Sequence, residues 1–374
     1  MVLSLKAWES RTPPILISAT YLHVYILSIF NTLLMTMLAN FYKREVILTP
    51  DIRLKINELQ ELDNTKPFID LIGIYISIFV LIYFSVQFSY KYSFLIFIPA
   101  IFLIAGRQGA LLQLIHEASH RLINSNLKIN NIFGEYLTSL LIGVNFNGYK
   151  DGHLKHHTHT ATPQEPEADS DKYLIVDFKN PKIYLLFLRD ILGISALRIF
   201  FAYNPNKNNN TKSNKDAYDK IIFLIKLGII QILILALFQF NIVNYILFWI
   251  YPAIGPHMFL MRIRGIAEHG LGKKLGYKIR KPSEGLYFTR SFLTGKNKYK
   301  IPFLSSLEKL LIGSLDVYYH HEHHLAPKVP YYNLRKLHEM VSDNLEKNID
   351  AKIYEKGYFS AAFSTVKVPE EELA

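Results

Sequence analysis

The stretch Tyr318-Tyr319-His320-His321-Glu322-His323-His324-Leu325-Ala326-Pro327 holds four histidines, in a chain of 374 residues that has fourteen. His320, His323 and His324 stand at i, i+3 and i+4, so on a helix they share one face. Three imidazoles on one face repel if protonated and leave lone pairs idle if buried and neutral. They make chemical sense around a cation, and neutral imidazole is the commonest metal ligand. Two further groups lie upstream. His116-Glu117-Ala118-Ser119-His120 places two histidines one helical turn apart. His153-Leu154-Lys155-His156-His157 repeats the i, i+3, i+4 spacing, with His159 close by, and His269 follows Glu268 between the second and third groups.

A lone histidine on a helix is ordinarily solvated or hydrogen-bonded, and His23, His257 and His338 are read that way. His159 and His321 read equally as spare residues or as partners of ligands. The three groups do not reduce to that reading, since eight of the fourteen histidines fall into them at ligand spacing. One tetrahedral zinc uses three or four protein ligands. Eight or nine imidazoles therefore suit two ions, and nitrogen donors without thiolate suit iron, copper or zinc. Redox-active ions would keep open positions for dioxygen. Metal-bound histidines usually donate their other N–H to a carboxylate or carbonyl. Glu117, Glu268, Glu322 and Asp151 are placed to accept, and each reads equally as a solvated acid. Asp169 and Asp171 follow the second group.

These side chains need elements to carry them. Half of the residues are hydrophobic and 14% aromatic, and the apolar residues come in blocks. The formal net charge is +11. Nucleic acid would suit a basic chain, but the apolar blocks favour a bilayer with anionic lipid, and no nucleic-acid partner is expected. The absence of cysteine excludes disulfides, thiolate metal sites and a cysteine nucleophile.

The pattern predicts an all-α integral membrane protein with four core spans, at about 69–88, 93–106, 221–240 and 243–261, paired as two hairpins. The helix after the second span keeps its character into His116, which would stand roughly 14 Å beyond Arg107. Both hairpins open to one side, where nearly all Lys and Arg lie. By the positive-inside rule that side is the cytoplasm, so a helical cap carrying the histidines sits on the cytoplasmic face. Three regions result: 1–67, with an apolar stretch at 15–39 that spans or lies in the interface; the membrane domain 68–345; and a charged tail, 346–374. The N-terminus does not read as a cleavable signal peptide. Residues 183–203 read as an in-plane amphipathic helix, 204–216 as a polar loop, and 331–345 as an amphipathic helix.

The order of these groups resembles the membrane fatty acid desaturase and hydroxylase superfamily, with its H-x(3)-H, H-x(2)-H-H and second H-x(2)-H-H boxes. Here they stand as His116/His120, His153/His156/His157 and His320/His323/His324. Gly106-Arg107-Gln108 before the first box and Leu325-Ala326-Pro327 after the last also fit, and the resemblance covers about 68–340. It implies a di-iron centre, held by the eight box histidines as the catalytic set. Arg264…Glu268-His269 resembles the superfamily's additional ligand, His269. Many members carry Asn four residues before the last box; Asp316 stands there, a weaker candidate for contact with the metal. The resemblance further implies oxidation of an unactivated C–H bond of a fatty acyl chain, with dioxygen as co-substrate and two electrons. The sequence holds no His-Pro-Gly-Gly haem motif, cysteine cluster or Gly-rich dinucleotide fingerprint. A separate ferredoxin or b-type cytochrome, with its reductase, is therefore the expected donor. Desaturation is the first reading and lipid hydroxylation the alternative.

Two rivals belong to other classes. His116-Glu117-x-x-His120 also matches the H-E-x-x-H helix of a membrane zinc metalloprotease, with Glu117 as base. That leaves the other groups idle, and Ile123 stands where the longer metzincin pattern has glycine. A metal transporter should keep its ligands within the spans, whereas these flank them.

Overall fold

The computed structural model describes residues 50–92, 94–160, 182–202, 214–274, 289, 291–292, 302–345 and 357–364. The apolar stretch 15–39, His23, Asp169, Asp171 and most of the polar loop 204–216 lie outside the described residues. Among the described residues the chain is helical and no strand forms. In chain order the helices are α1 (Pro50–Glu58), α2 (Lys66–Tyr92), α3 (Phe94–Ser119), α4 (Leu127–Ile132), α5 (Phe146–His159), α6 (Lys182–Ile191), α7 (Ile194–Ala202), α8 (Asn214–Leu237), α9 (Ile242–Tyr245), α10 (Tyr251–Ile254), α11 (Pro256–Lys274), α12 (Pro302–Leu311), α13 (His320–Leu325), α14 (Leu334–Leu345) and α15 (Tyr358–Ser364). A π turn (Phe133–Thr138) and a 3-10 turn (Ser139–Ile142) join α4 to α5.

Four helical stretches are long and apolar enough to cross a membrane: Lys66–Phe88, Ile96–Ser119, Tyr218–Leu237 and Ile242–His269. The second is one unbroken helix from the apolar run to the first histidines, and no proline follows Pro99 near its start. It is also the axis of the core. Ile104, Leu111, Leu114 and Ile115 have no exposed surface, and α2 packs along them through Leu71, Ile74 and Ile78. The third stretch leaves Ile221, Ile225, Ile229 and Ile232 exposed, as a lipid-facing helix would.

Gly106 explains the motif before the first histidines by packing. A Cβ there would meet the Leu310 carbonyl at 2.4 Å, so only glycine lets the end of α12 lie against α3. Arg107 and Gln108 then reach sideways, to the carbonyls of Leu310 and Trp249 at 2.9 Å each. The irregular backbone between α4 and α5 is satisfied by three spanning stretches. Tyr75 donates to the Leu137 carbonyl, Gln231 to Leu140 and Leu141, and Trp249 to Leu141.

The stretch read as one in-plane helix at 183–203 is two helices, bent at Gly193 with φ 78°. Its Asp190 is wholly buried and pairs with Arg262 of α11, so this charge faces inward. Within the stretch read as a charged tail, α15 is buried on α11 through Tyr358, Ala361 and Ala362.

Candidate metal centre

Each histidine group is set by a local device legible in its residues. Helix α3 ends at Ser119, and the chain reverses through Arg121 at φ 65°. Buried Asn130 holds the reversal, accepting from the Ile123 amide at 3.2 Å and donating to the Ala118 carbonyl at 3.0 Å. Asn145 caps α5 by accepting from the Gly148 amide at 2.8 Å, as asparagine does at helix starts, which fixes the rotation of His153, His156 and His157. Helix α13 carries the third group directly, with Glu322 buried between His320 and His323.

The structure brings nine histidines together in two groups. His116, His120, His153, His157 and His323 form one; His156, His269, His320 and His324 form the other. Within each, the nitrogens that could bind a metal lie within 4.8 Å of one another. The groups adjoin, with the rings of His157 and His324 stacked at 4.2 Å. Each H-x(2)-H-H box is divided between them. At roughly 100° per residue, i and i+4 differ by about 40° around the helix, while i+3 falls about 100° from i+4. So His153 and His157 go one way and His156 the other; His320 and His324 pair, and His323 crosses to the first group.

The donor set fits metal ions. The Nε2 atoms of His120 and His153 are 2.8 Å apart, those of His153 and His157 3.0 Å, and those of His157 and His323 2.9 Å. In the other group His269 and His320 are 2.7 Å apart, and His320 and His324 3.1 Å. With metal–nitrogen bonds of about 2.1 Å, neighbouring ligands sit roughly 3.0 Å apart at right angles and roughly 3.4 Å apart in a tetrahedron. The observed spacings match the right-angled set. Moreover, His116 Nε2 is buried with no hydrogen-bond partner, a lone pair aimed into the first group.

The electrostatics favour the neutral, ligating imidazole. Burial first, and then the neighbouring rings, push the His120 pKa down to about 4 and that of His157 to about 2. The same causes hold His153, His320, His323 and His324 well below the ordinary value.

Three of the four expected acids are buried and Asp151 is exposed. Glu117 alone takes the expected role, its Oε1 3.1 Å from His116 Nδ1 and its Oε2 accepting the Tyr331 amide at 3.0 Å. Glu268 binds Arg264 at 2.9 and 3.0 Å and the Tyr358 hydroxyl at 3.1 Å. Glu322 accepts from Ser291 and from His338 Nδ1, the latter at 2.7 Å. Burial works to raise the Glu322 carboxyl, but the His338 hydrogen bond, the charges of His321 and His338, and the Ser291 hydroxyl hold it at about 2. Asp316 joins neither group; its carboxylate accepts from the Tyr318 hydroxyl. His159 and His321 also join neither. His338, expected to be an ordinary helix histidine, is buried against Glu322. Sequence reasoning passed over Tyr331, Tyr358, Ser291 and Gln113. The first three meet their carboxylates from distant parts of the chain, whereas Gln113 stands one turn before His116 and Glu117 on α3, where the i, i+4 spacing to Glu117 could have shown it.

Apolar helices of spanning length and converging imidazoles define a helical membrane protein built to ligate metal. The chain belongs to the fatty acid desaturase family, a metal-dependent oxidoreductase family whose profile matches residues 92–355. It is similar to the dihydrorhizobitoxine desaturase of Bradyrhizobium elkanii, with 26% identity over 251 residues, covering 63% of this chain and 65% of that protein. It is also similar to the fatty acid desaturase of Bacillus subtilis (strain 168), with 25% identity over 296 residues and 76% of each chain covered. The first match thus spans just under two thirds of the relative's length.

Proposed function

We propose that this protein is a membrane di-iron oxygenase that introduces a double bond into a fatty acyl chain. The observation that carries the reading is the pair of adjoining imidazole groups, five and four strong, at the ends of apolar helices. His116, His120, His153, His157 and His323 would hold one iron, and His156, His269, His320 and His324 the other. Bound iron would supply dioxygen activation; the balance is CH2–CH2 plus O2, two electrons and two protons, giving CH=CH and two waters. The chain's own work is positional. Glu117 accepts a hydrogen bond from the Nδ1–H of His116 and so leaves Nε2 as the free lone pair, an assignment made from the hydrogen-bond network, in which Gln113 Nε2 also lies 3.1 Å from Nδ1. The packed ends of α3, α11 and α13 exclude water around the reacting carbon.

The spans pair as two hairpins that open to the cytoplasm. Tyr331 supports the first of these pairings: its hydroxyl donates to Asp70 at the start of α2 and its amide to Glu117 at the end of α3, so those two ends are neighbours; the side rests on the distribution of Lys and Arg. Electrons come from a separate ferredoxin or b-type cytochrome docking on the basic side. Both relatives are named desaturases, which favours desaturation over hydroxylation. The protease reading is weakened by Glu117, both of whose oxygens are engaged away from any attacking water.

Lipid analysis of cells expressing the chain tests this. New double bonds that disappear in His120→Ala support the proposal; new hydroxyls instead support the hydroxylase. Unchanged lipids, with iron and a reducing system supplied, contradict both.

A further inference from the structure

A buried polar chain runs from Glu117, the partner of His116 in one histidine group, to Glu268, which lies beside His320 in the other. His116 Nδ1 lies 3.1 Å from Glu117 Oε1. Gln113, one turn back on α3, lies with Nε2 3.1 Å from His116 Nδ1 and 3.5 Å from the same oxygen. Its Oε1 accepts from Arg264 Nη1 at 3.3 Å. The Nε of Arg264 lies between both oxygens of Glu268, at 2.9 and 3.0 Å. Glu268 Oε2 is 3.6 Å from His320 Nε2, and Oε1 accepts from Tyr358 at 3.1 Å. Gln113, Glu117, Glu268 and Tyr358 are each at most 3% exposed.

Two carboxylates are thus buried beside the imidazole groups, with one guanidinium set between them. A buried carboxylate costs several kcal/mol unless paired, and the planar fork of arginine reaches Glu268 and Gln113 through two fixed, separate nitrogens, where an ammonium has only one. The hydroxyl of Tyr358 satisfies Glu268 from the far side. It is brought there by α15, which packs on α11 and ties to α12 through the Phe359 amide on Glu308 at 3.2 Å.

We propose that Arg264 and Tyr358 are positioning residues of the metal centre: Arg264 ties Glu117, through Gln113, to Glu268, and α15 fixes the Glu268 carboxylate beside the group containing His269 and His320 through Tyr358. This rests on the two-iron reading. Neither residue touches a reacting atom. Arg264 and Tyr358 fix Glu268, whose charge stands 3.6 Å from the His320 ring, and Arg264, through Gln113, also bears on Glu117, which orients His116.

The test uses the detergent-purified, iron-loaded full chain. Tyr358→Phe removes one hydroxyl from a buried ring and keeps its volume; Arg264→Lys keeps the charge and loses the fork. The expected result is that Tyr358→Phe shifts the Mössbauer signal of one iron and leaves the other, while Arg264→Lys shifts both. Turnover should fall on the order of tenfold to a hundredfold, as for other partners of metal ligands. Wild-type spectra and turnover in both variants would overturn the inference, as would a lowered melting temperature with unchanged spectra. If Arg264→Lys does not fold, Tyr358→Phe alone decides. A wild-type chain that takes up no iron would instead overturn the functional reading beneath it.

Discussion

His116 and Glu117, adjacent in sequence, face each other across 3.1 Å, imidazole Nδ1 to carboxylate Oε1, while the other ring nitrogen is buried with no hydrogen-bond partner. A neighbour on a helix normally points about 100° away. Here the Tyr331 amide holds Oε2 and turns the carboxylate back onto the ring. Glu117→Ala should leave that ring with Gln113 alone beside Nδ1 and lower metal affinity roughly tenfold to a hundredfold. Metal-binding isotherms on the purified chain check this. Unchanged affinity would remove Glu117 from the centre.

Division of the boxes between two groups gives mutations distinct signatures. His120→Ala and His157→Ala each remove a ligand from the five-histidine group, and His324→Ala from the four-histidine group. Each should abolish turnover and leave membrane insertion intact. The retained iron should keep the spectrum of the group left whole, so the first two variants should match one another and differ from the third. Activity in any two would sink the two-iron assignment.

His338 plays a part in the fold that its sequence context does not show. An isolated histidine on an amphipathic helix reads as spare, and its removal as neutral. Its burial 2.7 Å from Glu322 makes it the partner of a carboxylate inside the third box. Removing a hydrogen-bond partner from a buried charged group costs about 1.5–3 kcal/mol. His338→Ala should therefore lower the melting temperature and loosen metal held by α13, both measurable on one preparation.

Acid should destabilise the metal-free protein. The depressed histidines bind protons in the unfolded chain below about 6.5 but not in the folded one until near 4 for His120 and 2 for His157. The unfolded state then holds more protons, so stability falls as pH drops below about 6.5 and is fully present above it. Melting curves of the metal-free chain between pH 7.5 and 5, roughly the span of this titration, should show a steady decline. A flat profile would mean the rings are solvated.

Much of this was legible in the sequence because the signals were periodic or local. Apolar runs of spanning length located four helices, and the i, i+4 spacing put His116 and His120 on one face. The division of His156 from His157 was legible in principle, since helix rotation alone sets it. Contacts closed by distant segments were not. Tyr358 lies in a stretch whose charged flanks read as a tail, and only α11 reveals why its ring is buried. Asp190 reads as a surface acid until Arg262 meets it across 72 positions of chain.

The most direct test of the whole account is metal stoichiometry on detergent-purified protein, expressed with iron supplied and never exposed to excess zinc. The account predicts close to two irons per chain. One tightly held zinc and no iron would contradict it and return attention to His116-Glu117-x-x-His120 as a hydrolytic site.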